Sequence, residues 1–228
     1  MKTCKSLLHI GLLLPWALCT TNAQLAFRNL DFESANIAEY PVGTDNVPIT
    51  AGLPGWSVGL DGSNKTATIW YDATSLGGAL ISVNDINTGF GFMPIDGNFS
   101  AYLFSSGFSV PDVTSISQTG LVPSGTRFLQ AKMSVHGPAP VVMLGGQVIN
   151  MLPLETLPTY TLYGGEISAF AERFTTLSFT EPAPFHNYSS LLLDGIVFSQ
   201  QIPEPTSLTL FGVGALILGF FRPRNALR

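Results

Sequence analysis

Four aromatic side chains are the residues of this 228-residue chain best suited to contact a ligand, and the ligand class they suit is carbohydrate. Trp and Tyr rings stack on the apolar face of a pyranose when they are exposed on a concave sheet face. Trp70 and Tyr71 are adjacent on a predicted strand, so one side chain points into the core and the other outward, and which of them faces outward stays open. Tyr102 is a third candidate, whereas Trp56 follows a Pro-Gly turn and is predicted to fill the core.

Catalytic chemistry has little support in the sequence. Beyond residue 23 the histidines are His136 and His186, both in Pro-rich turns, and no cysteine is present. No GxSxG, HExxH or glycine-rich phosphate loop occurs. Scattered carboxylates could include a glycosidase pair, but no spacing identifies one. We therefore expect a protein that is not an enzyme, and an enzyme of unrecognised type is the remaining alternative.

Composition and charge exclude several classes of protein. The chain is 46% apolar, only 11% charged and has 16 Phe, 6 Tyr and 3 Trp, whereas disordered chains are highly charged and poor in aromatic residues. Between Ala23 and Pro203 it has 14 acidic and 5 basic side chains. This surplus disfavours nucleic acid and anionic lipid as partners and is compatible with neutral glycans or divalent cations.

Residues 24–199 are predicted to form one all-β domain. Short runs that alternate apolar and polar residues recur between clusters of Gly, Pro, Asn and Asp, most clearly at 126–135 and 174–180. The predicted strands are 25–32, 66–71, 79–83, 99–104, 113–118, 126–135, 140–144, 174–180 and 191–198, and one helical turn is predicted within 167–173. So many short strands favour two packed antiparallel sheets, and specifically a jelly-roll sandwich.

Residues 1–23 are predicted to form a secretory signal helix. Lys2 and Lys5 precede an apolar run at 7–18 that is too short to span a bilayer. Thr21 and Ala23 are the small residues that signal peptidase accepts before its cleavage site, so cleavage is expected after Ala23. The expected partners are the Sec translocon and signal peptidase.

Residues 200–228 combine three features in a fixed order. These are the tripeptide Pro203, Glu204 and Pro205, an apolar stretch at 208–221, and a basic tail of Arg222, Arg224 and Arg228. The order resembles the PEP-CTERM sorting signal of exported Gram-negative proteins, which implies processing near the tripeptide by a membrane-embedded exosortase. As a helix, residues 206–221 would be about 24 Å long against a hydrocarbon core of about 30 Å, which suits temporary membrane retention with the arginines in the cytoplasm.

The body shows a second resemblance. Segments 29–34 (Asn-Leu-Asp-Phe-Glu-Ser) and 53–56 (Leu-Pro-Gly-Trp) are similar to the first strands of galactose-binding-like jelly rolls in carbohydrate-binding modules. Segments 118–123, 144–147, 160–171 and 193–196 are similar to exported bodies that often precede a PEP-CTERM signal. The first resemblance implies a structural calcium held by Glu33 and Asp194, since calcium prefers several hard oxygen ligands. Gly195 stands where many such modules have a second acid, and a hydrogen-bonded or exposed pair of carboxylates is the alternative.

These observations lead to one leading hypothesis and two alternatives. The protein is expected to be exported, held transiently in the inner membrane of a Gram-negative bacterium by its C-terminal helix, and processed by an exosortase. It would then reach the cell surface or extracellular matrix with a non-catalytic β-sandwich body. The first alternative is a carbohydrate-binding module for extracellular polysaccharide, and the second is the unrecognised enzyme. Nucleic acid is not an expected partner.

Overall fold

The computed structural model of the chain describes residues 25–60, 67–74, 77–88, 92–108 and 112–201. These residues form two packed β-sheets, which confirms the prediction of an all-β sandwich. The predicted signal helix and the predicted C-terminal hydrophobic helix lie outside the described residues. Within the described ranges, no helix is both long and apolar enough to cross a membrane.

The described residues contain thirteen strands and two short helices, joined by turns and loops. The helices are α1 (Ile49–Gly52) and a 3-10 turn (Ser168–Phe170), the second of which confirms the predicted helical turn. The strands are β1 (Val47–Pro48), β2 (Ser57–Leu60), β3 (Thr68–Tyr71), β4 (Leu80–Asp85), β5 (Phe99–Ser106), β6 (Thr114–Leu121), β7 (Phe128–His136), β8 (Val141–Leu144), β9 (Gln147–Val148), β10 (Leu152–Thr156), β11 (Thr161–Glu166), β12 (Phe174–Glu181) and β13 (Tyr188–Ser199).

The larger sheet has eight strands in the order β1-β3-β4-β5-β13-β7-β11-β10, and the smaller has five in the order β2-β6-β12-β8-β9. Neighbouring strands are antiparallel except β3 and β4, which run parallel with Trp70 opposite Ser82. The 12-residue β13 lies between β5 and β7 in the middle of the larger sheet. Its register shifts between Asp194 and Val197, where Gly195 has a φ of +51°, the left-handed conformation that glycine adopts most easily.

The core lies between the two sheets and follows the period-2 pattern of the sequence. On β7, Leu129 and Met133 are at most 2% exposed, and on β12 the same holds for Leu177 and Phe179. Trp56 also belongs to this core, as predicted, and its indole Nε1 donates a hydrogen bond to the Asn29 carbonyl oxygen at 2.9 Å. Alternation in these strands was therefore a reliable guide to the buried face.

The prediction of a strand at 25–32 was wrong. Ala26 forms a single bridge to Leu121, and the chain then turns, with φ values of +50° at Asn29 and +58° at Phe32. This turn places the Phe32 side chain in the core at 0% exposure. The Asn29 side-chain amide donates a hydrogen bond to the Pro54 carbonyl oxygen at 3.0 Å in the same turn.

The sequence reading also missed strands, among them β2, β10 and β11. In β11, the dipeptide Gly164-Gly165 is a sequence that predicts a turn. In the structure the two glycines lie within the sheet, paired with β7. A Cβ at residue 165 would come within 2.5 Å of the Ile149 Cγ2 atom. The glycines therefore serve close packing here rather than a change of chain direction.

Both ends of the described body lie at the same end of the sandwich, which we call the terminal end. Leu121 N–H donates to the Leu25 carbonyl oxygen at 3.0 Å, and Arg127 N–H donates to the Ser199 carbonyl oxygen at 2.9 Å. The rings of Phe27 and Phe198 are 4.8 Å apart. Since β13 ends here, its first residue lies about 35 Å away at the opposite end.

Candidate functional site

The outer face of the larger sheet carries a groove with a volume of about 610 Å³. It lies across β5, β13 and β7, towards the end of the sandwich opposite the terminal end. Its lining residues are Thr74, Gly77, Phe92, Tyr102, Phe104, Phe108, Ser134, His136, Tyr188, Ser190 and Leu192. We call it the aromatic groove.

Strand pairing assembles the floor of the aromatic groove from residues far apart in the sequence. One cross-strand row consists of Trp70 on β3, Ser82 on β4, Tyr102 on β5, Leu192 on β13 and Ser134 on β7. A second row consists of Leu80, Phe104, Ser190 and His136 on β4, β5, β13 and β7. Because side chains alternate along each strand, the residues between these positions, such as Leu103 and Leu191, face the core.

A continuous series of ring contacts runs along the groove. Phe92 lies 4.9 Å from Tyr102, and Phe104 lies 5.4 Å from Tyr188 at an interplanar angle of 21°. Tyr188 also stacks on His136 at 5.4 Å and 23°. Tyr102 and Phe104 are buried beneath, whereas Phe92 is 48% and Tyr188 42% exposed. The buried rings thus support exposed rings whose faces are available to a ligand.

The polar groups of the groove are hydroxyls and one imidazole. Burial raises the pKa of Tyr102 to about 12, and a hydrogen bond with Ser190 offsets part of this rise. The Tyr102 hydroxyl therefore stays protonated at every physiological pH. Among the described lining residues there is no carboxylate, lysine or arginine. The groove suits an uncharged ligand that has both an apolar face and hydroxyl groups.

The three aromatic residues predicted to bind a ligand lie in different places. Tyr102 lines the aromatic groove. Trp70 faces outward and packs, partly buried, against the cluster that contains Tyr102 and Phe104. Tyr71 lies in the core at 6% exposure, and its hydroxyl donates to Asp85 Oδ2 at 2.8 Å. Burial and this carboxylate raise the pKa of Tyr71 above its ordinary value. The outward member of the adjacent pair is thus Trp70.

Sequence reasoning missed most of the groove. Phe104 had a usable signal, because it lies two residues after Tyr102 on the same predicted strand and so shares its face. Phe92 and Phe108 lie in connections between strands, and Tyr188 begins β13. Their meeting depends on β13 lying beside β5, a long-range pairing that no local pattern predicts.

The two carboxylates predicted to hold calcium both bind one segment of chain, residues 96–100. Glu33 accepts hydrogen bonds from the backbone N–H groups of Asn98 and Phe99 at 2.7 and 2.9 Å, and from the Asn98 side chain at 2.8 Å. Asp194 accepts from the Asp96 N–H at 3.2 Å and from the Ser100 hydroxyl at 2.6 Å. Burial raises the pKa of Asp194 to about 6 although these hydrogen bonds oppose the rise.

This arrangement favours the hydrogen-bonded alternative over a metal site. Calcium needs six to eight oxygen ligands, whereas the groups facing Glu33 and Asp194 are mainly N–H donors. In the described parts of the chain, no three His, Cys, Asp or Glu side chains are grouped so that they could share a metal ion. Calcium binding by Glu33 and Asp194 stays a prediction.

Comparison with known proteins adds information about the C-terminus. Residues 201–224 match the family described as "PEP-CTERM protein-sorting motif". No curated protein is significantly similar to the chain. A solved structure described as "CBM4 structure and function" has a TM-score of 0.35 and 12% identity over 65% of this chain and 96% of that one. The enzymatically active domain of tailspike protein 4 from bacteriophage CBA120 has a TM-score of 0.37 and 11% identity over 76% of this chain and 21% of that one.

The family match includes all three residues of the tripeptide at 203–205 and two of the three tail arginines, Arg222 and Arg224. It confirms the prediction made from the order tripeptide, apolar stretch and basic tail. The chain therefore carries a PEP-CTERM protein-sorting motif, the C-terminal signal of an exported protein whose processing partner is an exosortase.

Proposed function

We propose that this exported protein is delivered to the cell surface or extracellular matrix, where its sandwich binds a neutral polysaccharide in the aromatic groove without chemical change. The observation that carries the proposal is the composition of that groove, in which exposed rings and hydroxyl groups line an uncharged volume of about 610 Å³. The proposal joins the leading hypothesis on sorting to the carbohydrate-binding alternative for the body.

Pyranose rings have the two chemical faces that this groove matches. Their axial C–H groups form apolar patches that pack on aromatic rings, and their hydroxyls need hydrogen-bond partners at the edge of the ring. Phe92 and Tyr188 offer the exposed ring faces, and Ser134, Ser190 and His136 offer polar groups beside them. A glycan without charged groups suits the body best, because the acidic surplus of the body repels anionic polymers.

The position of the groove in the domain supports display to the outside. Tyr188 begins β13, and Ser199 ends it at the terminal end, from which the sorting motif continues. The two residues are about 35 Å apart along the strand. A chain held by its C-terminal segment would therefore present the aromatic groove on the side away from the point of attachment.

The same groove gives no support to hydrolysis. Glycosidases generally place two carboxyl groups about 5 to 9.5 Å apart across the bond they cleave. The described lining residues include none, and Asp194, two residues beyond Leu192 on β13, is only 1% exposed and accepts hydrogen bonds from Asp96 N–H and the Ser100 hydroxyl. Binding without catalysis is the function that this set of side chains favours.

Affinity electrophoresis in gels containing soluble β-glucan, xylan, galactomannan or dextran tests the proposal. We expect at least one polymer to retard the protein, and we expect Phe92→Ala and Tyr188→Ala each to weaken binding about tenfold, equivalent to about 1.4 kcal/mol. Phe174→Ala is the matched control, since Phe174 is 48% exposed, like Phe92, but lies outside the groove.

Two outcomes would overturn the proposal. One is the absence of retardation in all four polymers at millimolar sugar-unit concentrations. The other is binding that Phe174→Ala weakens as much as Phe92→Ala does. Release of reducing ends from the bound polymer, measured in parallel, would show that the protein cleaves the polymer. That result would support the enzyme alternative instead of binding without chemical change.

A further inference from the structure

The sorting motif follows a central strand of the folded body with no spacer. Ser199, the last residue of β13, pairs with Phe128 on β7. Two residues later, the Gln201 carbonyl oxygen still accepts a hydrogen bond from Gln130 Nε2 at 3.0 Å. Pro203 of the tripeptide is only two residues beyond Gln201. The fold thus extends almost to the motif.

This short connection limits the distance between the body and the membrane. The helix predicted at 206–221 begins five residues after Gln201. Five residues span at most about 18 Å even when fully extended. The sandwich is at least as long as β13, whose 12 residues measure about 40 Å. The distance from Gln201 at the terminal end to the start of the predicted membrane helix is therefore less than half the length of β13.

The terminal end exposes apolar side chains beside arginines. Leu25 is 72% and Phe174 48% exposed. Arg127 and Arg173 are also exposed, and the Arg173 carbonyl oxygen accepts a hydrogen bond from Val122 N–H at 3.0 Å in the loop that follows β6. We call Leu25, Arg127, Arg173 and Phe174 the terminal patch.

The charge of this end differs from that of the rest of the body. Glu172 directly precedes Arg173 in the chain, and Glu166 is paired with Phe128, the residue after Arg127, so the charges of these four side chains sum to zero. The whole body has 14 acidic and 5 basic side chains, so the acidic surplus belongs to the rest of the body. An anionic membrane would repel the rest of the body and leave the terminal end as the part that can approach it.

We propose that the terminal patch rests on the lipid headgroups while the C-terminal segment is in the membrane. Leu25 and Phe174 would lie at the boundary between headgroups and acyl chains, where apolar side chains are stabilised. Arg127 and Arg173 would donate paired hydrogen bonds to lipid phosphates. The partner is thus a lipid surface, and the contact fixes the domain with its aromatic groove pointing away. This inference rests on the membrane retention included in the proposed function.

Quenching by spin-labelled lipid tests this contact in the full chain. The signal-cleaved protein has no cysteine, since Cys4 and Cys19 both precede residue 24. Single cysteines are introduced as Phe174→Cys at the terminal patch, Phe185→Cys at the opposite end and Ala215→Cys inside the apolar segment. Each variant carries a fluorophore and is reconstituted in vesicles of phosphatidylethanolamine and phosphatidylglycerol. Headgroup-labelled lipid probes residues 173, 174 and 185, and acyl-chain-labelled lipid probes residue 215, which lies near the middle of the apolar segment. Arg173→Cys is a second label site in case the Phe174 variant folds poorly.

The expected result is loss of fluorescence at residues 174, 173 and 215 and none at residue 185, which is 84% exposed in the connection between β12 and β13. Quenching at 215 without quenching at 173 and 174 would refute the contact and leave the proposed membrane retention intact. Equal quenching at 174 and 185 would also refute it, because the domain would then have no fixed orientation. Absence of quenching at 215 would overturn both the contact and the retention on which it rests.

Discussion

Replacing Glu181 with glutamine should remove most of the pH dependence of the protein's stability. Glu181 ends β12 with its side chain between the two sheets and is 0% exposed. Neither carboxylate oxygen accepts a hydrogen bond, since the neighbouring Ser189 hydroxyl donates to the Pro182 carbonyl oxygen instead. Burial raises the pKa of Glu181 from 4.5 to about 8.

The sign and size of the effect follow from this pKa. Below pH 4.5 the carboxyl group is protonated in both the folded and the unfolded chain, so it adds no pH dependence. Between pH 4.5 and about 8 the unfolded chain is ionised while the folded one keeps its proton, so stability falls as the pH rises. At about 1.4 kcal/mol per pH unit, the loss reaches about 5 kcal/mol by pH 8.

Urea unfolding at pH 5 and pH 9 measures this difference directly. The wild-type free energy of unfolding should drop between these pH values by about 4 kcal/mol more than that of Glu181→Gln, because glutamine keeps the shape but cannot ionise. The raised pKa of Asp194 contributes equally to both proteins and cancels in the comparison. Glu39→Gln, at an exposed glutamate, is the matched control and should leave the wild-type profile unchanged. Equal pH profiles for wild type and Glu181→Gln would refute the reasoning.

Two further substitutions test specific features of the fold. Tyr71→Phe removes a buried hydrogen bond to Asp85 at 2.8 Å and should lower the free energy of unfolding by about 1 to 2 kcal/mol; an unchanged urea midpoint would show that this contact is not formed. Gly195→Ala places a Cβ on a residue with φ of +51° and should cost about 1 to 2 kcal/mol in the same assay, whereas no loss would mean that the β13 bulge lacks this conformation.

The sequence predicted those strands in which apolar and polar side chains alternate along the chain. The segments predicted at 126–135 and 174–180 correspond to β7 and β12. In each of them an apolar side chain occurs at every second position and points into the core between the two sheets. The same rule failed for β11, because its two glycines have no side chain to contribute to a pattern and are instead required by the close approach of residues 149–151.

The candidate site was harder to predict than the fold. Tyr102 and Trp70 were found as aromatic residues on strands, but the groove exists because β13 enters the sheet between β5 and β7. That pairing brings Tyr188 to Phe104 across more than eighty residues of sequence. The sorting motif is the opposite case, since its three features are adjacent in the chain and are recognisable without any structure.

The mass of the protein as it occurs on the cell surface or in the extracellular matrix tests the central claim most directly. Intact-mass and terminal-peptide analysis should give an N-terminus after Ala23 and a C-terminus near Pro203, without the apolar segment and the tail arginines. A surface or matrix protein that still ends at Arg228, or a full-length chain dissolved in the cytoplasm, would contradict the account.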